Sequence, residues 1–400
     1  MKRKLKIMAN LLLTAAFAAV FASCGKDNSK PVEATGVTLD KTTLALVAGE
    51  EETLEATVNP GDAADKSLTW TSSAPEVATV EAGAVTAVAK GTATVTVSTA
   101  NGETDACKVT VEYIVETVLI PKGVFLMGSS DGSAEGSGAP GTDPNATAAE
   151  PGRYLEEETQ HVVTLTKDYW MSKYPVTNAQ YAEFLNAAGI DGTGAKATVQ
   201  DGATLIEADS RGMYYNGNLW APAATYGDHP VIRVSWRGAK AYAEWAGGDL
   251  PTEAQWERAA RGGVENMPFG IGNGKVLTGA MANFNGHHPY DFDNGGAYDD
   301  ESGAYVNSTT AVGAYSAYAN DYGLYDMHGN VREWCLDRWD GSSYAGSPAT
   351  DPVGGAGSYG VVRGGYFEVE ARYFRSAYRD AYGLNGGGDD DIGFRVVFYP

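Results

Sequence analysis

The sequence predicts an α+β chain in two parts, an N-terminal β-sandwich followed by a larger domain of mixed helices and strands. Three observations carry this. Residues 34–113 alternate apolar and polar positions, with turn residues every eight to twelve positions, which is the pattern of half-buried strands. From about Ile114 the alternation gives way to capped helical segments among short strands and irregular loops. The 400 residues, 43% of them hydrophobic, can bury more than one core.

Residues 1–23 read as a targeting leader and stand outside the fold. Lys2, Arg3, Lys4 and Lys6 make a basic start, and Ile7 to Phe21 is an apolar run too short for a comfortable membrane span. Phe21-Ala22-Ser23-Cys24 resembles a bacterial lipobox. That implies cleavage before Cys24, acylation of its thiol and new amine, and a polar tether over 24–33. Several acyl chains anchor stably, since each buried methylene contributes about 0.8 kcal/mol. The expected location is the bacterial cell envelope, lipid-anchored at the outer membrane or cell surface, with the membrane engaged through that anchor alone.

The formal charge is −22, from 51 acids against 29 bases. This argues against a nucleic-acid partner, where a basic face must replace counterions. It suits an envelope protein or one that holds hard cations. Beyond Cys24 only Cys107 and Cys335 remain, one in each part. They form no disulfide framework and no metal spacing.

Strand-like runs in the first part are 37–39, 43–47, 53–58, 68–70, 77–80, 85–88, 93–97 and 107–111. Gly49, Pro60-Gly61, Pro75 and Gly91 punctuate them. Gly36-Val37-Thr38-Leu39-Asp40, Leu68-Thr69-Trp70-Thr71-Ser72-Ser73, Val77-Ala78-Thr79-Val80 and the run from Val85 to Ala93 resemble the bacterial Ig-like group 2 (Big2) domain. Trp70 is expected between the sheets, and Cys107, alternating with Val109 and Val111, is expected to be buried and inert. Such modules serve as spacers or adhesive units, and the spacer reading is the expected one here.

In the second part, residues 114–400, Val118 to Gly128 reads as strand-turn-strand, and His161–Leu165 and Tyr169–Val176 as strands. Thr177 caps a helix through Asn186, another runs from Arg237 to Ala246, and Thr252 with Gln255 makes a capping box for a third. The final stretch reads as Arg363-Gly364-Gly365, a loop, an arginine-rich strand over Arg375–Arg379, a second loop and a closing strand through Gly393-Phe394-Arg395.

Six blocks together resemble the formylglycine-generating enzyme (sulfatase-modifying factor) family. They are Phe125–Gly128, Lys173–Asn178, His229–Trp236, Leu250–Gly263, Gly323–Trp334 and the C-terminal unit. The resemblance implies a C-type-lectin-like fold variant. Oxidases of the family bind copper(I) through a cysteine pair four residues apart in the loop after Arg-Gly-Gly, because soft thiolates suit that ion. Here that loop, Tyr366 to Arg372, holds no cysteine, so no copper is expected and the domain leans away from being an enzyme. Iron-dependent relatives draw histidines from an extra helical domain. With five histidines and only His287-His288 adjacent, that chemistry is not expected either.

The resemblance implies structural calcium held by the side chains of Asp326 and Glu333 and the carbonyls of Gly329 and Val331. A further site would begin at Asn283 and Phe284, its acid to be sought near Asp299, Asp300 and Glu301. The polar loops Tyr366, Phe367, Glu368, Glu370 on one side and Tyr382, Asn385, Asp389, Asp390 on the other, with Arg372 between, have the composition of binding loops. A solvated Gly/Asp turn reads as well. Arg372, Arg375 and Arg379 are expected to pair with local acids.

The expected function is therefore an envelope lipoprotein whose head binds a protein or glycan ligand. One alternative is an enzyme with non-copper chemistry, its pocket between the Tyr366 loop, Trp334 and Trp236. Another is a structural component of an envelope or secretion complex.

Overall fold

The computed structural model describes residues 30–130, 149–153, 159–193, 196–198, 204–339, 350–384 and 389–399. Residues 1–29, with the expected leader and Cys24, and Asn385 lie outside them. The chain divides into two compact units, one ending at Ile114 and one spanning Val115–Tyr399.

The first unit is a β-sandwich. One sheet has the order Thr43–Val47, Thr104–Glu112, Gly91–Thr99, Leu68–Ser72, a second the order Glu51–Thr53, Ala84–Ala87, Ala78–Glu81, and Gly36–Leu39 with Ala56–Asn59 forms a two-stranded third. Alternation along Gly91–Thr99 turns Ala93, Val95 and Val97 inward to meet Cys107, Val109 and Val111. Burial pushes the Cys107 thiol up. Two expectations change. The strand over 53–58 splits at Leu54, whose N–H goes to Gly83 O while the N–H of Glu55 goes to the Asp40 carboxylate. Residues before the break pair with Ala84–Ala87 and those after it with Gly36–Leu39. Trp70 packs at the rim of the core rather than between the sheets, half-exposed beside Gly83.

In the second unit Thr117–Ile120 and Gly123–Met127 are consecutive but join different sheets. The first pairs with Tyr169–Ser172, the second with His161–Leu165. Pro121 between them has no N–H to continue a ladder, and the N–H of Lys122 is taken by Asp168. Val397–Phe398 completes the first sheet on the far side of Tyr169–Ser172. The sheet that carries the candidate site has the order Asp380–Gly383, Tyr359–Arg363, Arg332–Trp339, Ile392–Gly393.

Among the described residues this unit has three α-helices: α1 Asn178–Ala187, α2 Trp236–Trp245 and α3 Glu253–Arg261. Thr177 and Thr252 each close a capping box with Gln180 and Gln255, and Ser235 caps α2. α3 turns two acids one helical turn apart into the core. Glu253 grips Arg379 through both carboxylate oxygens at 2.7 Å. Glu257, fully buried, accepts from Arg261 at 2.7 Å, from Arg363, and from the N–H of Gly128. Burial alone would raise the Glu257 carboxyl, but the Arg261 and Arg363 guanidiniums outweigh it and hold it below the usual range.

The stretch Arg375–Arg379 is a turn following a short 3-10 helix, Ala371–Phe374, not a strand. Its guanidiniums explain this: Arg375 reaches Glu150 at 2.7 Å and Arg379 reaches Glu253. Only Arg372 pairs locally, with Glu370 at 2.9 Å. Gly365 has φ +70, and a Cβ there would stand 2.9 Å from the Phe374 ring, so the Arg-Gly-Gly turn requires glycine at that position.

Candidate functional site

The register of the site-bearing sheet brings three distant segments together. Arg332 pairs in parallel with Ile392, and Val362 pairs with Asp380. Asp380 and Tyr382 sit two apart on the edge strand and so share a face. The result is a guanidinium between two rings. The Arg332 Cζ lies 4.3 Å from the Tyr366 ring centroid and 4.7 Å from that of Tyr382, within cation–π range. Its Nη1 is 3.3 Å from Asp391 Oδ2 and 3.7 Å from Asp380 Oδ2. Asp391 is 4% exposed, and its Oδ1 has no hydrogen-bond partner. Burial pushes the Asp391 carboxyl up to about 6, with Arg332 opposing and Asp389 and Asp390 adding to the rise. Burial also raises both tyrosine hydroxyls.

The other residues expected in the binding loops divide. Glu368 is exposed, and its charge is felt by Tyr366. Asp389 is exposed, and Asp390 pairs with Arg211 at 2.5 Å. Phe367 does not line the face. It is 1% exposed, because its ring turns inward with its edge to Tyr366. Glu370 and Arg372 engage each other, and Arg372 also donates to the Tyr373 hydroxyl. Sequence reasoning missed Arg332 and Asp391 as site residues. The signal was an arginine one residue before Glu333 in a block read for calcium, and the third acid of the Asp389–Asp391 run.

Where a pocket was expected between the Tyr366 loop, Trp334 and Trp236, the two indoles approach closely at Gly360. A Cβ on Gly360 would stand 2.9 Å from Trp334 and 3.1 Å from Trp236. Trp334 is fully buried with its Nε1 donating to Val234 O. A small cleft lies elsewhere, lined by Met281, Tyr315, Tyr318, Asp326, Met327 and His328.

At the block expected to hold calcium, Glu333 is fully buried. Its Oε2 accepts from Trp256 Nε1 and Arg395 Nε, both at 2.7 Å, and its Oε1 has no partner. Asp326 takes φ +56 and accepts from the N–H of Gly313. Burial pushes its carboxyl up to about 6, and Glu333 adds to the rise. Gly329 O accepts from the N–H of Val331. An unpaired oxygen on Glu333 beside a carboxyl raised by its neighbour fits a hard cation, although Arg395 already neutralises part of the charge. The second group fits less well. Asn283 Oδ1 is unpaired, but Asp299 turns to His288 and Asp300 to Ser302. Phe284 packs its ring on Phe374. Among the described residues no three His, Cys, Asp or Glu side chains are gathered around one point, so a calcium ion here would depend on carbonyl oxygens for much of its shell.

Cys335 is fully buried in the apolar cluster with Trp256 and Val361, and burial pushes its thiol well up. His328 is buried too, its Nε2 accepting from the N–H of Gly270, and burial takes it down to about 4.

Fold and site define a mixed α/β head of the formylglycine-generating-enzyme type that follows an Ig-like β-sandwich in the sequence. The profile of the sulfatase-modifying factor enzyme 1-like domain matches residues 103–399, and that of the bacterial Ig-like domain (group 2) matches residues 33–111. The chain belongs to the sulfatase-modifying factor enzyme 1-like family. It is 32% identical over 306 residues to a formylglycine-generating enzyme of Streptomyces coelicolor, covering 70% of this chain and 88% of that one. It is also 32% identical over 273 residues to the serine/threonine-protein kinase pkn1 of Chlamydia pneumoniae. That match covers 66% of this chain and 35% of the kinase, so the chain spans about a third of that relative's length. PvdO from Pseudomonas aeruginosa matches at 26% identity and TM-score 0.49, covering 71% of this chain and 94% of that one.

Proposed function

We propose that this protein is a lipid-anchored component of the bacterial cell envelope, at the outer membrane or cell surface, whose head binds a protein or glycan ligand and does not oxidise cysteine. The observation that carries the reading is the state of the thiols. The head has one cysteine, Cys335, and it is buried and held protonated. A copper(I) centre of the family type needs two accessible thiolates. The half-exposed Tyr366 and Tyr382, held in place by Arg332, offer rigid amphipathic contact area of the kind that binding faces use.

Calcium is proposed as a structural ion. Asp326 and Glu333 would hold it by side chain and Gly329 and Val331 by carbonyl, with Asn283 and Phe284 as a second, weaker group. The ion would supply charge neutralisation only. Anchoring rests on Cys24, whose lipobox-like setting is a sequence reading. No helix among the described residues is long and apolar enough to cross a membrane.

One experiment tests binding. A photo-crosslinker replaces Glu368 in the full chain in its native cells, and adducts are compared with and without Tyr366→Ala and Tyr382→Ala. A discrete adduct lost in both variants supports the reading. No adduct, or adducts indifferent to both tyrosines, overturns it. Labelling with a radioactive fatty acid, lost in Cys24→Ala, tests the anchor.

A further inference from the structure

We propose that the Tyr366–Tyr382 face is a receptor for a basic side chain, arginine or lysine, displayed by a protein partner. The proposal rests on the reading that this face binds, and it names the chemistry of what is bound.

Three observations support it. The first is what the rings already hold. Tyr366 and Tyr382 stack on a guanidinium at 4.3 and 4.7 Å, with two carboxylates at its edge. Ring faces and carboxylates of this kind select cations. The second is charge. Asp391 and Glu368 act on Tyr366, Asp391 and Asp380 on Tyr382, and Asp389 and Asp390 lie close enough to act on Asp391, while Arg332 and Arg211 pair with members of the group. Arg211 and Arg233 also answer Asp209, and among the described residues the acids at this face outnumber the bases. The third is Asp391 itself. Its Oδ2 faces the caged Arg332 while Oδ1 has no hydrogen-bond partner, in a residue 4% exposed. A buried carboxylate oxygen without a donor is uncommon in folded chains, and it leaves beneath the rings a carboxylate that Arg332 answers on one oxygen only.

Other ligand classes fit less well. An acidic peptide would meet Asp389 and Glu368 at the rim, where like charges oppose association. A neutral glycan would stack on the rings but leave the carboxylate excess unanswered. Arginine suits the face better than lysine, since its planar group both stacks and forks onto a carboxylate.

The test uses the full chain with its anchor removed by Cys24→Ser. Titrations compare blocked Gly-Arg-Gly, Gly-Lys-Gly, Gly-Gln-Gly and Gly-Glu-Gly peptides, followed by shifts of the tyrosine ring resonances. The arginine peptide should bind at least tenfold more tightly than the glutamine peptide, and the glutamate peptide should not bind. Asp391→Asn and Tyr366→Ala should each weaken arginine binding about tenfold, and raising salt from 50 to 500 mM should weaken it further. If Asp391→Asn does not fold, the exposed pair Asp389→Asn and Glu368→Gln carries the same expectation. Equal binding of all four peptides, or arginine binding indifferent to salt and to these substitutions, overturns the proposal. The crosslinking experiment separates the two readings. A tyrosine-dependent adduct that the arginine peptide does not compete away leaves a binding face and sinks the basic ligand. Absence of both adduct and peptide binding sinks both.

Discussion

Glu333 gives one carboxylate oxygen to Arg395, at 2.7 Å, and leaves the other without a partner in a fully buried site. The half-used carboxylate is the physical reason to expect a cation there. Calcium at 1 mM should raise the melting temperature of the head by mass action, about 2.7 kcal/mol if that concentration is a hundredfold above Kd. Chelator should reverse the rise, and Asp326→Ala should remove it. A melting curve that ignores calcium, chelator and the substitution alike counts against the ion.

Glu257 answers two guanidiniums, Arg261 and Arg363, with no exposure to solvent. Glu257→Ala takes the carboxylate from the buried Arg261 guanidinium and leaves Arg363 to Glu253, at 3.3 Å. Removing one member of such a group costs about 3–5 kcal/mol. Urea unfolding should show a midpoint shift of that size without a change in the Ig-like unit. A shift below about 1 kcal/mol would mean that water reaches the guanidiniums.

The pH dependence follows from Asp337. Burial pushes its carboxyl up to about 7 from 3.8, with Glu253 adding to the rise. A folded value above the unfolded one means that folding takes up a proton between them. The contribution to stability is complete below about pH 4 and is lost as pH rises toward 7. Asp337→Asn should therefore lessen the fall in the head's melting temperature as pH rises from 4 to 7, the remainder belonging to Asp326 and Asp391, whose carboxyls are also raised. Parallel pH profiles for the two proteins would show that Asp337 is not the group responsible.

Copper(I) titration of the reduced protein should give no thiolate charge-transfer band of stoichiometric strength, and Cys335→Ser should leave the titration unchanged. A tight complex abolished by Cys335→Ser would restore an oxidase reading.

Much of this molecule is legible in the sequence because local signals agree with the fold. Thr177 with Gln180 and Thr252 with Gln255 announce helix starts through bonds made within four residues, so no tertiary knowledge is needed. The alternation of Cys107, Val109 and Val111 declares its own buried face. What was hidden is non-local. Glu253 and Glu257 have the spacing of a solvated helix surface, and only the arrival of Arg363 and Arg379 over a hundred residues later makes them core residues. Tyr366 and Tyr382 could be named as contact residues from composition. That they close on Arg332 depends on sheet register, which no local pattern specifies. Phe367 reads like its neighbour Tyr366, and the Arg-Gly-Gly turn sends the two rings to opposite environments.

The sheet that Val397–Phe398 completes has a consequence for how the head comes into being. The N–H of Val396 bonds to Ser172 Oγ across 224 residues of chain, and Val397 exchanges backbone bonds with Asp249. A ribosome that has made everything up to Arg395 has made a head with an open edge. Closure waits for the last strand, and contacts of such long span form slowly. The head therefore cannot complete this sheet until Val397–Phe398 is in place, and this pairing should be among the last of its contacts to form.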